Sequence, residues 1–253
     1  YGSYAYNQVY YKDTWDNYSK NLKISVNETV NIKFADWLNL RTVFSYDDTR
    51  IRDHVYYSAD HYNWTGEHGH VTEMLTNYQT LVSSTTLNFN KTFADKHTVG
   101  ILAGFEAEKN VTDFVRASGD NLPVGSLQTV ATAGVLDANA YWWGNSIMSI
   151  LSRAEYNYDN KYYISGSYRR DASSRFHPEN RWGNFWSAGG AYLISKENWF
   201  NAKWVDMLKF KASYGEQGND NIGNYRYTSV YDIVNGVGNP AAVPSTMGKK
   251  DIT

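Results

Sequence analysis

The sequence predicts an all-β protein, a segment of an antiparallel transmembrane β-barrel with about nine strands. Three observations predict this class. Apolar and polar residues alternate with period two along much of the 253 residues. Many alternating stretches have about ten residues, the length that crosses a bilayer at a tilt, whereas soluble strands usually have about 5 or 6. Short turns also alternate with long polar connections, as in outer-membrane barrels.

The alternation defines the elements in chain order. From Leu22 to Phe34, every even-numbered residue except Glu28 is apolar and every odd-numbered residue is polar. Because successive side chains of a strand point to opposite faces, this stretch has one apolar and one polar face. The nine predicted strands span about 22–34, 38–46, 78–93, 97–108, 147–158, 162–171, 185–195, 208–216 and 225–233.

The connections support the same class. Three short turns, at 34–37, 93–97 and 158–162, each join an aromatic strand end to an Asp and then restart the alternation. Long polar connections are predicted at about 51–77 and 110–144. Aromatic residues at strand ends are expected to form a girdle at the membrane interfaces. They are Phe34, Trp37, Phe93, Tyr158, Tyr162 and Trp199.

Composition excludes several functions. With 24 Lys and Arg against 26 Asp and Glu, the chain has no excess of basic residues for nucleic-acid binding. It has no Cys, and therefore no thiolate metal ligand or Cys nucleophile. No run approaches the about 18 apolar residues of a membrane helix. Because no G-x-S-x-G elbow, phosphate loop or dinucleotide fingerprint occurs either, we expect neither an enzyme nor a cofactor.

The alternation alone leaves a second class open. A soluble antiparallel sandwich with one solvated face also alternates apolar and polar residues. A soluble carbohydrate-binding β module or a β-rich glycan hydrolase is therefore an alternative at this stage.

Two sequence blocks narrow the choice. The first reads Arg170-Asp171-Ala172-Ser173-Ser174-Arg175-Phe176, then Asn180-Arg181-Trp182-Gly183-Asn184-Phe185; the second reads LKFKASYGEQGNDNIGNY over 208–225. In this order they resemble the SusC/RagA family of TonB-dependent outer-membrane transporters, over about 145–233. The chain departs from that pattern at Ala172 and His177, where the family usually has Gly, and at Trp186, where it usually has Pro. A siderophore or cobalamin receptor, a second alternative, would share the barrel but not the two blocks.

The resemblance implies a barrel of about 22 strands in the bacterial outer membrane, closed by an N-terminal plug. It further implies a SusD-like surface lipoprotein as lid, energy supplied through TonB-ExbB-ExbD, and import of an oligosaccharide or, in some members, a peptide. About nine strands cannot close such a barrel. Residues 1–253 are therefore expected to form part of a single barrel domain in contact with outer-membrane lipid, with the plug and N-terminal segments outside them.

Aromatic residues in the long connections are candidates for stacking on sugar rings. They are Tyr62 and Trp64 in the first connection, and Tyr141, Trp142 and Trp143 in the second. Trp142 and Trp143 fit the interfacial girdle equally well.

Arg175 is a further candidate for ligand contact. The alternative is an ion pair with Asp171 that holds the loop in place. For the motif residues as a group, we expect a structural role. They are Arg170, Asp171, Ser173, Ser174, Arg175, Phe176, Asn180, Arg181, Trp182, Gly183, Gly215, Gly218, Asn219, Asn221, Ile222 and Gly223.

One loop contains four of the six His residues, with two acids nearby, and this mixture can bind metal. The residues are His54, His61, His68, His70, Asp60 and Glu67. Because the stretch has no helical H-E-x-x-H arrangement, we predict a solvated loop and no metal site.

Overall fold

The computed structural model describes residue 9 and residues 12–202, 204–236 and 239–251. Its strands are β1 (Trp15–Ala35), β2 (Leu38–Tyr57), β3 (His70–Phe93), β4 (His97–Asp120), β5 (Val135–Tyr158), β6 (Tyr162–Ser173), β7 (Trp182–Leu193), β8 (Lys209–Gly215), β9 (Val230–Gly236) and β10 (Asn239–Thr246). Short 3-10 turns occupy Val130–Thr132 and Ile194–Lys196. Strands β1 to β8 form one sheet in sequence order, and β9 and β10 form a separate antiparallel pair. The predicted all-β, antiparallel class is confirmed.

The short turns lie where the alternation predicts them. Strand β1 ends at Ala35 and β2 begins at Leu38, and Tyr158 pairs with Tyr162 across the β5–β6 turn. In that turn, Asp159 and Asn160 have φ values of 52° and 53°. Asn and Asp tolerate this left-handed region better than other non-Gly residues, and turns with it match the twist of a hairpin.

The long connections are shorter than the sequence predicts, because the strands that flank them are longer. Instead of about 51–77 and 110–144, the connections span 58–69 and 121–134. The added strand residues carry polar pairs rather than an apolar face: Arg52 Nε lies 3.1 Å from Glu73 Oε2, and His54 Nδ1 lies 2.7 Å from Glu73 Oε1. Strand pairing there is accompanied by polar contacts, and these leave no alternation of apolar and polar residues in the sequence.

The ninth predicted strand, 225–233, also needs correction. Strand β9 begins at Val230 and lies outside the eight-stranded sheet, paired with β10. The sequence pattern does not predict β10, because this strand contains Pro240 and Pro244. Proline cannot donate a ladder hydrogen bond, and a two-stranded pair has only edge strands, where proline is tolerated.

The chain divides into two compact units. The first contains the described residues of Tyr1–Val26, together with Tyr46–Thr80 and Asn110–Gly144. Its buried side chains include His54, Tyr56 and Val71. The second unit contains Asn27–Ser45, Leu81–Lys109 and the described residues of Asn145–Thr253.

Strand register in the second unit separates an apolar face from a polar face. On the apolar face, Tyr156 pairs with Ile164 and Tyr168 pairs with Trp186, and all four side chains are exposed. The residues between them point the other way and are mainly polar or charged. This polar face includes Arg153, Glu155, Asn157, Ser165, Ser167, Arg169, Asp171 and Ser187. An exposed apolar face is the surface that a transmembrane strand presents to lipid. No helix among the described residues is long and apolar enough for a membrane span.

Aromatic residues border the apolar face at both ends. At the end with short turns, the Tyr162 ring lies 4.9 Å from that of Tyr192. At the other end, Arg170 Cζ lies 4.7 Å from the Trp182 ring. Tyr162 and Arg170 are eight positions apart in β6, which at about 3.3 Å per residue is about 26 Å along the strand, or about 20 Å at a barrel tilt. That height is close to the apolar band of about 25 Å in outer-membrane barrels.

Several of the residues predicted for the girdle contact a cation or another aromatic ring. Lys91 Nζ lies 5.1 Å from the Trp37 ring and 5.4 Å from the Phe93 ring, and the Tyr158 and Tyr162 rings are 6.2 Å apart. A lysine above aromatic rings is typical of a membrane interface. Phe34, at the end of β1, and Trp199, between β7 and β8, are exposed. The girdle itself stays a prediction.

We expect a pH-dependent contribution to stability at the β5–β6 turn. Tyr162 Oη donates to Glu197 Oε1 at 2.6 Å, and Lys161 Nζ lies 3.5 Å from Oε2. The Tyr162 hydrogen bond, followed by the Lys161 charge, holds the pKa of Glu197 below its usual 4.5. The contribution is therefore present above about pH 4.5 and is lost as the pH falls through the lowered pKa.

Thermal unfolding between pH 3 and pH 7 measures this contribution. Glu197→Gln should lower the melting temperature at pH 7 and have little effect at pH 3. The exposed Glu216→Gln serves as the control. Equal pH dependence in the parent and in Glu197→Gln would contradict the prediction.

Candidate functional site

A charged network lies on the polar face of the second unit, with Arg169 at its centre. Arg169 Nε donates to Asp171 Oδ1 at 2.7 Å, and Nη2 lies 3.3 Å from Glu106 Oε1 and 2.9 Å from Ser149 Oγ. Ser149 is 1% exposed. One guanidinium therefore joins side chains of β4, β5 and β6. It is paired with two carboxylates, and this arrangement is suited to polar contact with a solute rather than to acid–base chemistry.

The two motif blocks meet in what we call the motif corner, formed by 173–182 and 215–224. Ser173 Oγ donates to Asp220 Oδ2 at 2.9 Å. Arg175 Nη1 donates to the Asp220 carbonyl at 3.0 Å, and Arg175 Nε donates to Asn224 Oδ1 at 3.2 Å. The two sequence blocks are therefore in direct contact, although Arg175 and Asp220 are 45 residues apart in the chain.

The predicted ion pair between Asp171 and Arg175 is wrong. Asp171 belongs to β6, where it lies opposite Ser149 on the polar face and pairs with Arg169. Arg175 follows the end of β6 and turns toward Asp220, whose Oδ1 is 3.6 Å from Arg175 Nη1. Two of the three guanidinium nitrogens of Arg175 are thus engaged within the chain. Its role in ligand contact stays a prediction.

Phe185 lies close to two glycines of the motif blocks, Gly183 and Gly218. A Cβ atom on Gly183 would lie 2.6 Å from Phe185 Cζ, and a Cβ atom on Gly218 would lie 2.2 Å from it. Carbon atoms do not approach this closely without displacement of one of them. A side chain at either position would therefore displace the ring or the backbone beside it.

The remaining motif residues make local structural contacts. The Ser146 and Ser174 residues exchange two hydrogen bonds, with Ser174 Oγ accepting from Ser146 N at 2.9 Å. Asn180 Nδ2 donates to the Lys250 carbonyl at 3.1 Å. Asn219 Oδ1 accepts from Asn221 N at 3.0 Å. The Phe176 and Ile222 amides close turns, Arg170 packs on Trp182, and the Arg181 carbonyl accepts from Ser173 N. Gly215 lies against Ser187, and Gly223 has a φ of 80°.

In the first unit, the candidates Tyr62 and Trp64 pack against His side chains. The Trp64 ring stacks on His70 at 4.0 Å and 11°, and Tyr62 stacks on His61 at 4.3 Å. Glu67 O accepts from Asn121 N at 2.8 Å, which joins the 58–69 and 121–134 connections. One ring face of each candidate is therefore occupied within the protein.

Tyr141, Trp142 and Trp143 lie within β5 and not in a connection, which corrects their predicted position. Tyr141 stacks between Phe114, at 4.7 Å, and Trp143, at 5.4 Å. Trp142 points to the opposite face of the strand and is 70% exposed. The sequence pattern alone does not identify Phe114 as part of this cluster, because its position depends on how β4 lies against β5.

The four His residues predicted to share a loop are distributed over strands as well. His54 lies in β2 beside Glu73, and His70 lies in β3 with its Nδ1 2.6 Å from Asp120 Oδ1. Burial lowers the pKa of His61, so its neutral form predominates at pH 7. Across the part of the chain that the structure describes, no three His, Cys, Asp or Glu residues are grouped to hold a metal ion.

The strand lengths, the two faces and the aromatic borders define a segment of the wall of an outer-membrane barrel. No protein-family model matches the chain. It is 27% identical over 207 residues to one TonB-dependent receptor of Formosa agariphila and 25% identical over 210 residues to another. Each alignment covers 80% of this chain but 20% and 21% of the receptor. The TonB-dependent receptor SusC of Bacteroides thetaiotaomicron is 32% identical over 105 residues, 41% of this chain and 10% of that protein.

Solved structures agree in fold. A structure of the RagAB peptide transporter superimposes with a TM-score of 0.91 over 100% of this chain and 29% of that chain, at 23% identity. The RagAB peptide importer in its open-open state gives a TM-score of 0.88 at 24% identity. The chain spans about a fifth of the length of the curated relatives it matches. The resemblance to SusC/RagA-type TonB-dependent receptors is therefore confirmed, over part of their length, and these relatives are named as receptors and a transporter, not as enzymes.

Proposed function

We propose that this chain is part of the barrel wall of a transporter that imports an oligosaccharide across the bacterial outer membrane. The observation that carries the proposal is the exposed apolar face, bordered by aromatic residues at both ends and backed by a charged polar face. A SusD-like lipoprotein covers the transporter, and TonB-ExbB-ExbD supply energy through segments outside these residues. The relatives support this reading by their names, and the apolar face by its fit to lipid.

The polar face supports passage of a hydrophilic solute. Arg169 carries two carboxylate partners, and Arg153 and Glu155 form an ion pair on the same face. Compensated charges keep the surface hydrated without binding one charge sign tightly. Such a surface suits a neutral oligosaccharide better than a strongly charged solute.

Growth of a deletion strain tests the proposal. Removal of the full-length gene should abolish growth on one oligosaccharide, and the intact gene should restore it. The panel contains glycans and peptides as alternative carbon sources. Growth lost on a peptide alone would overturn the substrate class, whereas unchanged growth on every source would overturn import.

Membrane fractionation distinguishes the proposed transporter from a soluble carbohydrate-binding module or glycan hydrolase. The intact protein should require detergent, because the apolar face would otherwise be exposed to water. A detergent-free soluble protein that binds glycan would favour the carbohydrate-binding module. Loss of siderophore- or cobalamin-dependent growth in the deletion strain would favour the other type of receptor, which would not share the two motif blocks.

We expect Trp143→Ala to weaken glycan binding by about two- to twelvefold, since one aromatic contact contributes about 0.5–1.5 kcal/mol. Trp143 is exposed in the first unit and lies on the same face of β5 as Tyr141, on which it stacks. Trp142→Ala is the matched control, because Trp142 is also exposed but points to the opposite face of β5. Titration of the intact receptor with the glycan that supports growth measures the effect. Equal affinities of parent and Trp143→Ala would contradict this role.

A further inference from the structure

The apolar face of the second unit contains a groove of about 460 Å³. Small residues form its floor, namely Ser83 of β3, Ala107 of β4 and Ala172 of β6. Larger apolar side chains flank them, namely Leu81, Met148 and Trp182. The register places Met148, Ala172 and Trp182 side by side on the same face. A groove of this form accepts a narrow apolar chain.

Cationic groups lie at the same groove. Lys109 and Arg181 are among its lining residues. Arg181 Nε is buried and has no hydrogen-bond partner within the described residues. Arg170 packs on the Trp182 ring, at the border that we assigned to the membrane interface. A buried guanidinium N–H without an acceptor is costly, and an anionic oxygen would satisfy it.

One acid, Glu108, also lines the groove. In β4 it lies between Ala107 and Lys109, and strand alternation directs it toward the polar face with Glu106. It takes part in an interaction of its own. Two cations therefore outnumber one acid at the groove.

We propose that this groove binds a phosphate-bearing acyl lipid of the surrounding membrane. The acyl chain lies over Ser83, Ala107 and Ala172, and the phosphate lies beside Lys109 and Arg181. The groove is at the end of the band opposite the short turns, so the lipid belongs to the leaflet on the side of the long connections. This inference rests on the membrane placement proposed above.

Native mass spectrometry of the intact, detergent-solubilised receptor tests the proposal. The probes are phosphorylated lipid A, the same lipid without phosphate, and inorganic phosphate. Phosphorylated lipid A should bind most tightly, because each nearby Lys or Arg contributes about fivefold to the affinity for an anionic lipid. Lys109→Gln and Arg181→Gln should each lower the affinity by about that factor. Ala107→Leu, which fills the floor, should lower it for both lipids.

Lys91→Gln is the matched control, because Lys91 lies over Trp37 and Phe93 at the end with short turns. Equal binding of the lipid without phosphate would overturn the headgroup assignment. Binding of inorganic phosphate alone at the same affinity would mean that the groove binds a free anion and not a lipid. An equal loss in Lys91→Gln would show attraction by overall charge and not by this groove.

The outcome is separable from that of the proposed function. A receptor that fractionates with membranes and restores growth, but does not retain the lipid, overturns this inference alone. A water-soluble receptor overturns both.

Discussion

Ala188→Arg should destabilise the intact receptor in a bilayer by about 2–4 kcal/mol, the cost of Arg on the lipid side at the middle of a barrel. Ala188 lies opposite Gly166 on the apolar face. Gly166 is four positions from Tyr162 and four from Arg170, midway between the two borders. An arginine there is too far from either interface to reach water without local distortion of the bilayer.

Ser187→Arg, at the adjacent position, is the matched control. Ser187 lies on the polar face, where its hydroxyl is 2.6 Å from Ser167 Oγ. Its replacement loses that hydrogen bond, at a cost of about 1 kcal/mol, but leaves the charge in a polar environment. Ala188→Leu controls for side-chain volume and should be nearly neutral. Denaturant unfolding in bilayers measures all three, and equal costs for Arg at 187 and 188 would contradict the assignment of the faces.

The apolar and polar faces of the strands are predicted by the sequence. Alternation from Leu22 to Phe34 predicts β1, and the three turn motifs predict where β2, β4 and β6 begin. Period two is a local property: each residue contributes to one face, and its polarity reports the solvent of that face. The sequence therefore predicts the parts of the strands that cross the apolar band.

The sequence does not predict the outer parts of β2 to β5, and the reason is physical. Beyond an apolar band, a strand can be stabilised by cross-strand pairs, and these leave no periodic signal. His54 and Arg52 share Glu73, a residue 19 or more positions away. The pairing of Arg175 with Asp220, in place of the predicted Asp171, is likewise a contact between residues that are distant in the sequence. Sequence proximity favours the near acid, whereas the fold brings the distant one into contact.

Gly218→Ala should cost about 1–3 kcal/mol, because a methyl group there would lie 2.2 Å from Phe185 Cζ and 2.5 Å from Cε1. The ring cannot retreat toward Gly183, where it is already in close contact. The displaced group is then either Phe185 or the 215–224 segment, which would loosen the contacts of Asp220 with Ser173 and Arg175. Gly166→Ala is the control, since its new Cβ atom would approach no closer than 3.7 Å to Ser187 O.

A double-mutant cycle identifies Phe185 as the cause. Leucine lacks the outer ring atoms, so Phe185→Leu removes the atoms that a Cβ at position 218 would meet. Gly218→Ala should therefore cost less in the Phe185→Leu background, with a coupling of about 1–2 kcal/mol. Unfolding of the four variants in bilayers gives this coupling directly. A coupling near zero would mean that the glycine serves the backbone conformation of the second block and not the packing of the ring.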